Sequence, residues 1–183
     1  DNWGGCPIPS CTRDAIINGG IILQPILTGV ANSKSLLINP GARLTIPSGI
    51  TLNICENFTN LGVMNADPTS TVLFWNGLNQ NIGGNFLGGN GFGNLTVSKA
   101  GGLVTQLQPI DVKNVFTLSN PTSIYSVNGK VQKVAGDFLN YGVYNPSGGT
   151  LELNGSNAQA YRNYYPVNNV VLNHSGPGVN LNT

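Results

Sequence analysis

Residues 56–65 read ENFTNLGVMN, and residues 136–145 read GDFLNYGVYN. Phe58 falls on Phe138, Asn60 on Asn140, Gly62 on Gly142, Val63 on Val143 and Asn65 on Asn145. The match extends outward from this core. TVLFWNGLNQ at 71–80 answers TLELNGSNAQ at 150–159, and GFGNLTVSKAGGLVTQL at 91–107 parallels PVNNVVLNHSGPGVNL at 166–181. Upstream, LTIPSGITLNICENF at 44–58 pairs with YSVNGKVQKVAGDF at 125–138, with Gly49 on Gly129. A unit of about 80 residues is repeated, the kind of self-similarity that marks repeat architectures. The chain therefore divides into a Cys/Gly/Pro-rich cap and lead-in over 1–43, a first unit over 44–124 and a second, truncated unit over 125–183. The segment QPIDVKNVFTLS (108–119) has no counterpart after Leu181, so the chain reads as a piece of something longer or as one completed by another molecule.

Within each unit the apolar residues alternate with polar ones in short runs: Leu44-Thr45-Ile46, Leu52-Asn53-Ile54, Leu95-Thr96-Val97, Leu151-Glu152-Leu153. A period of two marks half-buried strands, and the Asn-Gly, Pro-Ser-Gly and Gly-Gly steps between them supply turns. The fold class expected is all-β. Two architectures fit: a right-handed parallel β-solenoid, or tandem small β-sandwiches. Composition favours the solenoid. Only 8% of the residues are charged, with 8 basic and 7 acidic residues in 183, against a usual fraction of about 25%. Asn, at 27, and Gly, at 25, supply much of the polar and turn-forming complement. Stacked turns would set like charges above one another, where they repel, whereas neutral amides pair as ladders.

The same arithmetic excludes several function classes. A chain that is 40% hydrophobic with a net charge of +1 can bury a core and is not intrinsically disordered. Without a cluster of Lys or Arg it lacks the electrostatic footprint of a nucleic-acid binder. No apolar stretch is long enough for a membrane span, since Ile16 to Val30 is interrupted by Gly19, Gly20, Pro25 and Gly29. An opening residue of Asp1 rather than Met suggests a processed terminus and an exported protein.

Candidates for chemistry are few. Cys6 and Cys11 stand close in DNWGGCPIPSC, where a small disulfide loop would pin the terminus; Cys55 then reads as a buried small side chain, with a bridge from Cys6 or Cys11 to Cys55 as the alternative. Three cysteines and the single His174 have no zinc-type spacing, and no cofactor is expected. His174 lies in a turn-like NHSGPG without the acid and G-x-S-x-G elbow of a triad. Each acidic residue stands alone, so the paired carboxylates of a glycosidase are not evident. Trp75, Tyr161, Tyr164 and Tyr165 are the candidate contacts for a glycan or partner, against the plainer role of cross-strand aromatic pairing.

The stretches NPGARLTIPSGITLNICENFTNLGVMN (39–65), STVLFWNGLNQNI (70–82) and FGNLTVSKAGGLVTQL (92–107), repeated from Gly129 to Leu181, resemble the β-rich repeats of large secreted surface proteins of Bacteroidota exported by the type 9 system. The resemblance covers about 140 residues. It implies an extracellular, solenoid-like adhesin or fibre-forming segment without a catalytic site. The C-terminal sorting domain of that system is missing from the pattern, and the Cys-bearing opening lies outside it. The function expected is a non-catalytic structural or adhesive rod at the cell surface, with self-association or continuation in a longer chain. The alternatives are a carbohydrate-binding module or a polysaccharide-active enzyme built on a β-helix.

Overall fold

The computed structural model describes residues 9–20 and 22–182. Every pairing between its strands is parallel, and about eight turns stack into a β-solenoid with three faces. Parallel pairing excludes the sandwich alternative, whose sheets are antiparallel. The first face stacks Ala15–Ile17, Leu36–Ile38, Phe58–Asn60, Gln80–Gly84, Leu103–Gln106, Ile124–Ser126 and Val143–Asn145. The second face stacks eight strands: Ala31–Ser33, Thr51–Ile54, Thr71–Trp75, Asn94–Ser98, Phe116–Leu118, Phe138–Asn140, Gln159–Asn163 and Val179–Asn182.

The third face is interrupted. Arg43–Ile46 pairs with Val63–Ala66, and Ile110–Val112 begins a four-strand stack through Val131–Val134, Thr150–Leu153 and Asn169–Leu172. Between them the chain bulges through a 3₁₀ turn at Gly88–Asn90, held by single bridges from Phe86 to Ile110 and from Phe92 to Val112. The rings of Phe86 and Phe92 stack at 4.5 Å and fill the interior at the bulge, with Phe58 edge-on to both.

Alternation decides what points inward. Leu52/Ile54, Val72/Phe74, Leu95/Val97, Phe116/Leu118 and Leu151/Leu153 are all buried, as a half-buried strand requires. On the second face the aromatic rings lie one above the next along the axis. Phe116 stacks on Phe138 at 5.3 Å, and Phe138 on Tyr161 at 5.5 Å. On the outer side the amides pair: Asn53 Nδ2 donates to Asn32 Oδ1 (2.9 Å), Asn39 Nδ2 to Asn18 Oδ1 (2.7 Å) and Asn114 Nδ2 to Asn94 Oδ1 (2.9 Å). These are pairs rather than the long ladders expected, because the next residue after Asn32 and Asn53 in their column is Leu73.

Partners on successive turns are 19 residues apart (Ile124 and Val143) to 24 apart (Phe58 and Ile82). The 80-residue repeat is therefore not a whole number of turns. It advances three turns plus two faces. Phe58–Asn60 lies on the first face and its match Phe138–Asn140 on the second; Thr71–Trp75 lies on the second and Thr150–Leu153 on the third. What recurs is the chemistry of a corner. Asn60 Oδ1 accepts from Gly62 N (3.2 Å), and Asn140 Oδ1 from Gly142 N (3.0 Å). A Cβ at Gly62 would lie 2.5 Å from the carbonyl oxygens of Asn39 and Ala42, and at Gly142 2.4 Å from that of Ser123, so both corners demand glycine. Gln80 Nε2 donates to Ile54 O and Glu56 O (both 2.9 Å); Gln159 Nε2 donates to the matching Val134 O (3.0 Å) and Gly136 O. The boundary drawn at 124/125 falls inside the strand Ile124–Ser126.

Cys11 is bonded to Cys55, with Cα atoms 5.4 Å apart. This corrects the expected Cys6–Cys11 loop; Cys6 itself lies outside the described residues. The reason is tertiary. The Ser10–Arg13 turn folds over the corner after Thr51–Ile54, where Lys34 N donates to Arg13 O (2.9 Å) and Cys55 N to Ser33 O (2.9 Å). Two winds of the solenoid thus bring together cysteines 44 residues apart.

Candidate contact surface on the second face

Trp75 ends the second-face strand Thr71–Trp75, one residue past the buried Phe74, and alternation turns it outward; it is 44% exposed. Its partner on the next rung is Ser98. Ser119 follows on the rung after that, since Ser119 N donates to Val97 O (3.0 Å). Tyr141 follows Asn140 and Tyr164 follows Asn163 on the two rungs beyond. One outward column therefore carries Trp75, Ser98, Ser119, Tyr141 and Tyr164 on five consecutive rungs.

At its C-terminal end the column opens into a groove lined by Ser119, Pro121, Tyr141, Tyr164 and Tyr165. The rings of Tyr141 and Tyr164 lie 6.1 Å apart and are tilted by 39°. Tyr164 is 61% exposed and Tyr165 is also exposed. Arg162 stands beside them: its guanidinium carbon lies 5.7 Å from the Tyr141 ring centre, and Nη1 donates to Tyr141 Oη (3.0 Å). The turn is pinned from within, because Asn140 Nδ2 donates to Asn163 Oδ1 and Asn163 Nδ2 to Tyr165 O.

Of the four aromatic candidates, Trp75, Tyr164 and Tyr165 are on the surface. Tyr161 is not. It alternates inward in Gln159–Asn163, packs against the core and stacks on Phe138, and burial raises its phenol above the usual range. Tyr141, Arg162, Ser98 and Ser119 were not singled out by the sequence. The register that aligns them is set by strands about 21 residues apart, and the only local signal was outward alternation at each strand end.

The described acidic residues serve turns and corners. Asp14 Oδ1 accepts from Ser35 N (3.1 Å), and Asp111 Oδ2 from Gly88 N (2.6 Å). Asp137 Oδ1 accepts from Ala160 N (2.7 Å). Asp67 accepts from Thr69 N and Oγ1, the backbone bond first, and its carboxyl is held below the usual range. Glu56 pairs with Lys34 at 3.8 Å and Glu152 with Lys133 at 3.3 Å. Asn173 Nδ2 also donates to Glu152, which contributes most to lowering that carboxyl. His174 Nδ1 accepts from Gly176 N (3.0 Å), so its Nε2 carries the proton that meets Asn157 O (2.7 Å). No cluster of three metal-ligating side chains occurs among the described residues.

Lys99 is fully buried at the corner after Asn94–Ser98. Its Nζ donates to Leu78 O (2.7 Å) and Gln80 Oε1 (2.5 Å), and desolvation pushes its pKa down to about 8. Enclosure among carbonyl oxygens suits a structural tie rather than a site open to substrate. A cavity of about 670 Å³ lies at the N-terminal end, between Ala15, Ile17, Leu27, Leu36, Leu44 and Leu52; no titratable side chain lines it. No helix is long and apolar enough to cross a membrane. Comparison with protein-family models, with curated proteins and with solved structures finds no match.

Proposed function

We propose that the chain is a non-catalytic structural and adhesive rod of a cell surface, its stacked turns supplying stiffness and its outer faces supplying contacts. The observation that carries this reading is the uninterrupted second face, eight parallel strands in register from Ala31 to Asn182. At the spacing of paired strands, eight turns span about 35–40 Å, and further turns would lengthen the rod without changing its cross-section. The Cys11–Cys55 bond suits an exported protein, because disulfides persist in oxidising compartments. The resemblance of residues 39–107 to repeats of secreted Bacteroidota surface proteins supports the same location.

Self-association, or continuation in a longer chain, completes the reading. The strands Asn169–Leu172 and Val179–Asn182 have no further strand beside them among the described residues, and Val170, Leu172 and Leu181 are exposed. Unpaired strand edges are templates for another strand. A next turn, from this polypeptide or from a second copy, would cover these side chains and continue each sheet.

Negative-stain imaging of the native material tests the reading. Rods or filaments of constant width are the expected result. Compact particles at every concentration, or turnover of a polysaccharide in a broad screen, would overturn it.

A further inference from the structure

We propose that the outward column from Trp75 to Tyr164, with Arg162 beside it, is a binding strip for a linear acidic polysaccharide lying along the solenoid axis. The inference rests on the adhesive reading and names its ligand. Four rung steps of about 4.8 Å make the strip about 19 Å long. That is an extended track rather than a pocket for one small molecule.

The chemistry of the strip is uneven in a useful way. Aromatic rings stand at its two ends, Trp75 at one and Tyr141, Tyr164 and Tyr165 at the other, and the hydroxyls of Ser98 and Ser119 occupy the rungs between. Aromatic faces present apolar surface with a polar rim, which suits the C–H faces of sugar rings. Hydroxyls between them donate to and accept from sugar hydroxyls. A protein partner would call for a broader apolar centre, which this single column does not offer.

Arg162 selects for charge. A guanidinium has five N–H donors, and one hydrogen bond is recorded from Arg162, to Tyr141 Oη. No carboxylate of the described residues lies within ion-pair distance of it. The nearby Asp137 is turned to the backbone of Ala160. Held over the Tyr141 ring, the planar fork is oriented and faces solvent, the arrangement that binds a carboxylate through two parallel hydrogen bonds. A polymer of uronic acids offers such a carboxylate on each sugar. Binding is favoured further because the tyrosine turn is already held by Asn140 and Asn163, so little ordering remains to be done.

The test is calorimetric titration of the full chain with polygalacturonate oligomers and with the same oligomers methyl-esterified. Saturable binding of the acid form is expected, weakened at least tenfold by esterification and by Arg162→Gln, and lost in Tyr164→Ala. Trp75→Leu, at the far end and in a different turn, should weaken long oligomers more than short ones. These side chains are exposed or half-exposed, so thermal midpoints should stay at the wild-type value and confirm folding. No saturable binding, or wild-type binding by Arg162→Gln and Tyr164→Ala, overturns the strip. Equal binding of the esterified oligomers overturns the acidic class. Failure here with rods still visible by imaging leaves the structural reading standing, whereas cleavage of the oligomer would overturn both.

Discussion

Removing the Cys11–Cys55 bond by the double substitution Cys11→Ser/Cys55→Ala should loosen one end of the molecule and leave the rest unchanged. The bond closes a loop spanning 44 residues of sequence separation, and the chain-entropy account assigns such a loop about 4 kcal/mol. In a solenoid each turn contacts only its neighbours, so that loss falls on the turns the loop encloses and is not spread over the whole chain. Amide hydrogen exchange reads it directly. Ala15 N, bonded to Ser35 O (2.8 Å), and Lys34 N, bonded to Arg13 O (2.9 Å), lie in the tethered turns. Their exchange should accelerate by up to about a thousand-fold, since 1.4 kcal/mol is tenfold. Leu95 N, bonded to Val115 O (2.9 Å), and Phe116 N, bonded to Asp137 O (2.9 Å), should exchange at wild-type rates. Equal acceleration at all four amides would refute the nearest-neighbour reasoning, and no change at Ala15 and Lys34 would refute the tether.

Two further outcomes test the interior. Lys99 should make stability rise with pH: the unfolded chain keeps this proton to about pH 10.4, while the folded chain releases it near pH 8, so between those values the unfolded state binds more protons. The wild-type thermal midpoint should therefore climb from pH 8 to pH 10 relative to Lys99→Met, and parallel profiles would contradict the burial assigned to this group. Gln159→Leu strips the Val134 and Gly136 carbonyls and the Gly155 N–H of their partner, at a cost of about 3 kcal/mol; a denaturation midpoint within error of wild type would show that the corner does not depend on it.

Much of the architecture could be read from the residues alone. The alternation in Leu52-Asn53-Ile54 or Leu95-Thr96-Val97 states which side chains face the core, because a strand has a period of two wherever it sits. The shortage of charge and the wealth of Asn and Gly pointed to stacked turns, and Asn32/Asn53 and Asn94/Asn114 pair as that reading requires. The recurrence of Phe-x-Asn-x-Gly located corners whose carbonyls leave no room for a Cβ at Gly62 or Gly142.

Alternation does not say which face a strand joins or which strand lies beside it. The 80-residue repeat looked like a structural unit, yet it links segments one face apart, because the same corner chemistry works at any of the three edges. The disulfide partner, the inward turn of Tyr161 and the alignment of Trp75 with Tyr164 all depend on the number of residues in each wind, which varies from 19 to 24. Composition and period two determined that this chain would stack its strands into a charge-poor solenoid. Only the winding of the turns decided which distant residues meet, since a one-residue change in loop length shifts every column that follows.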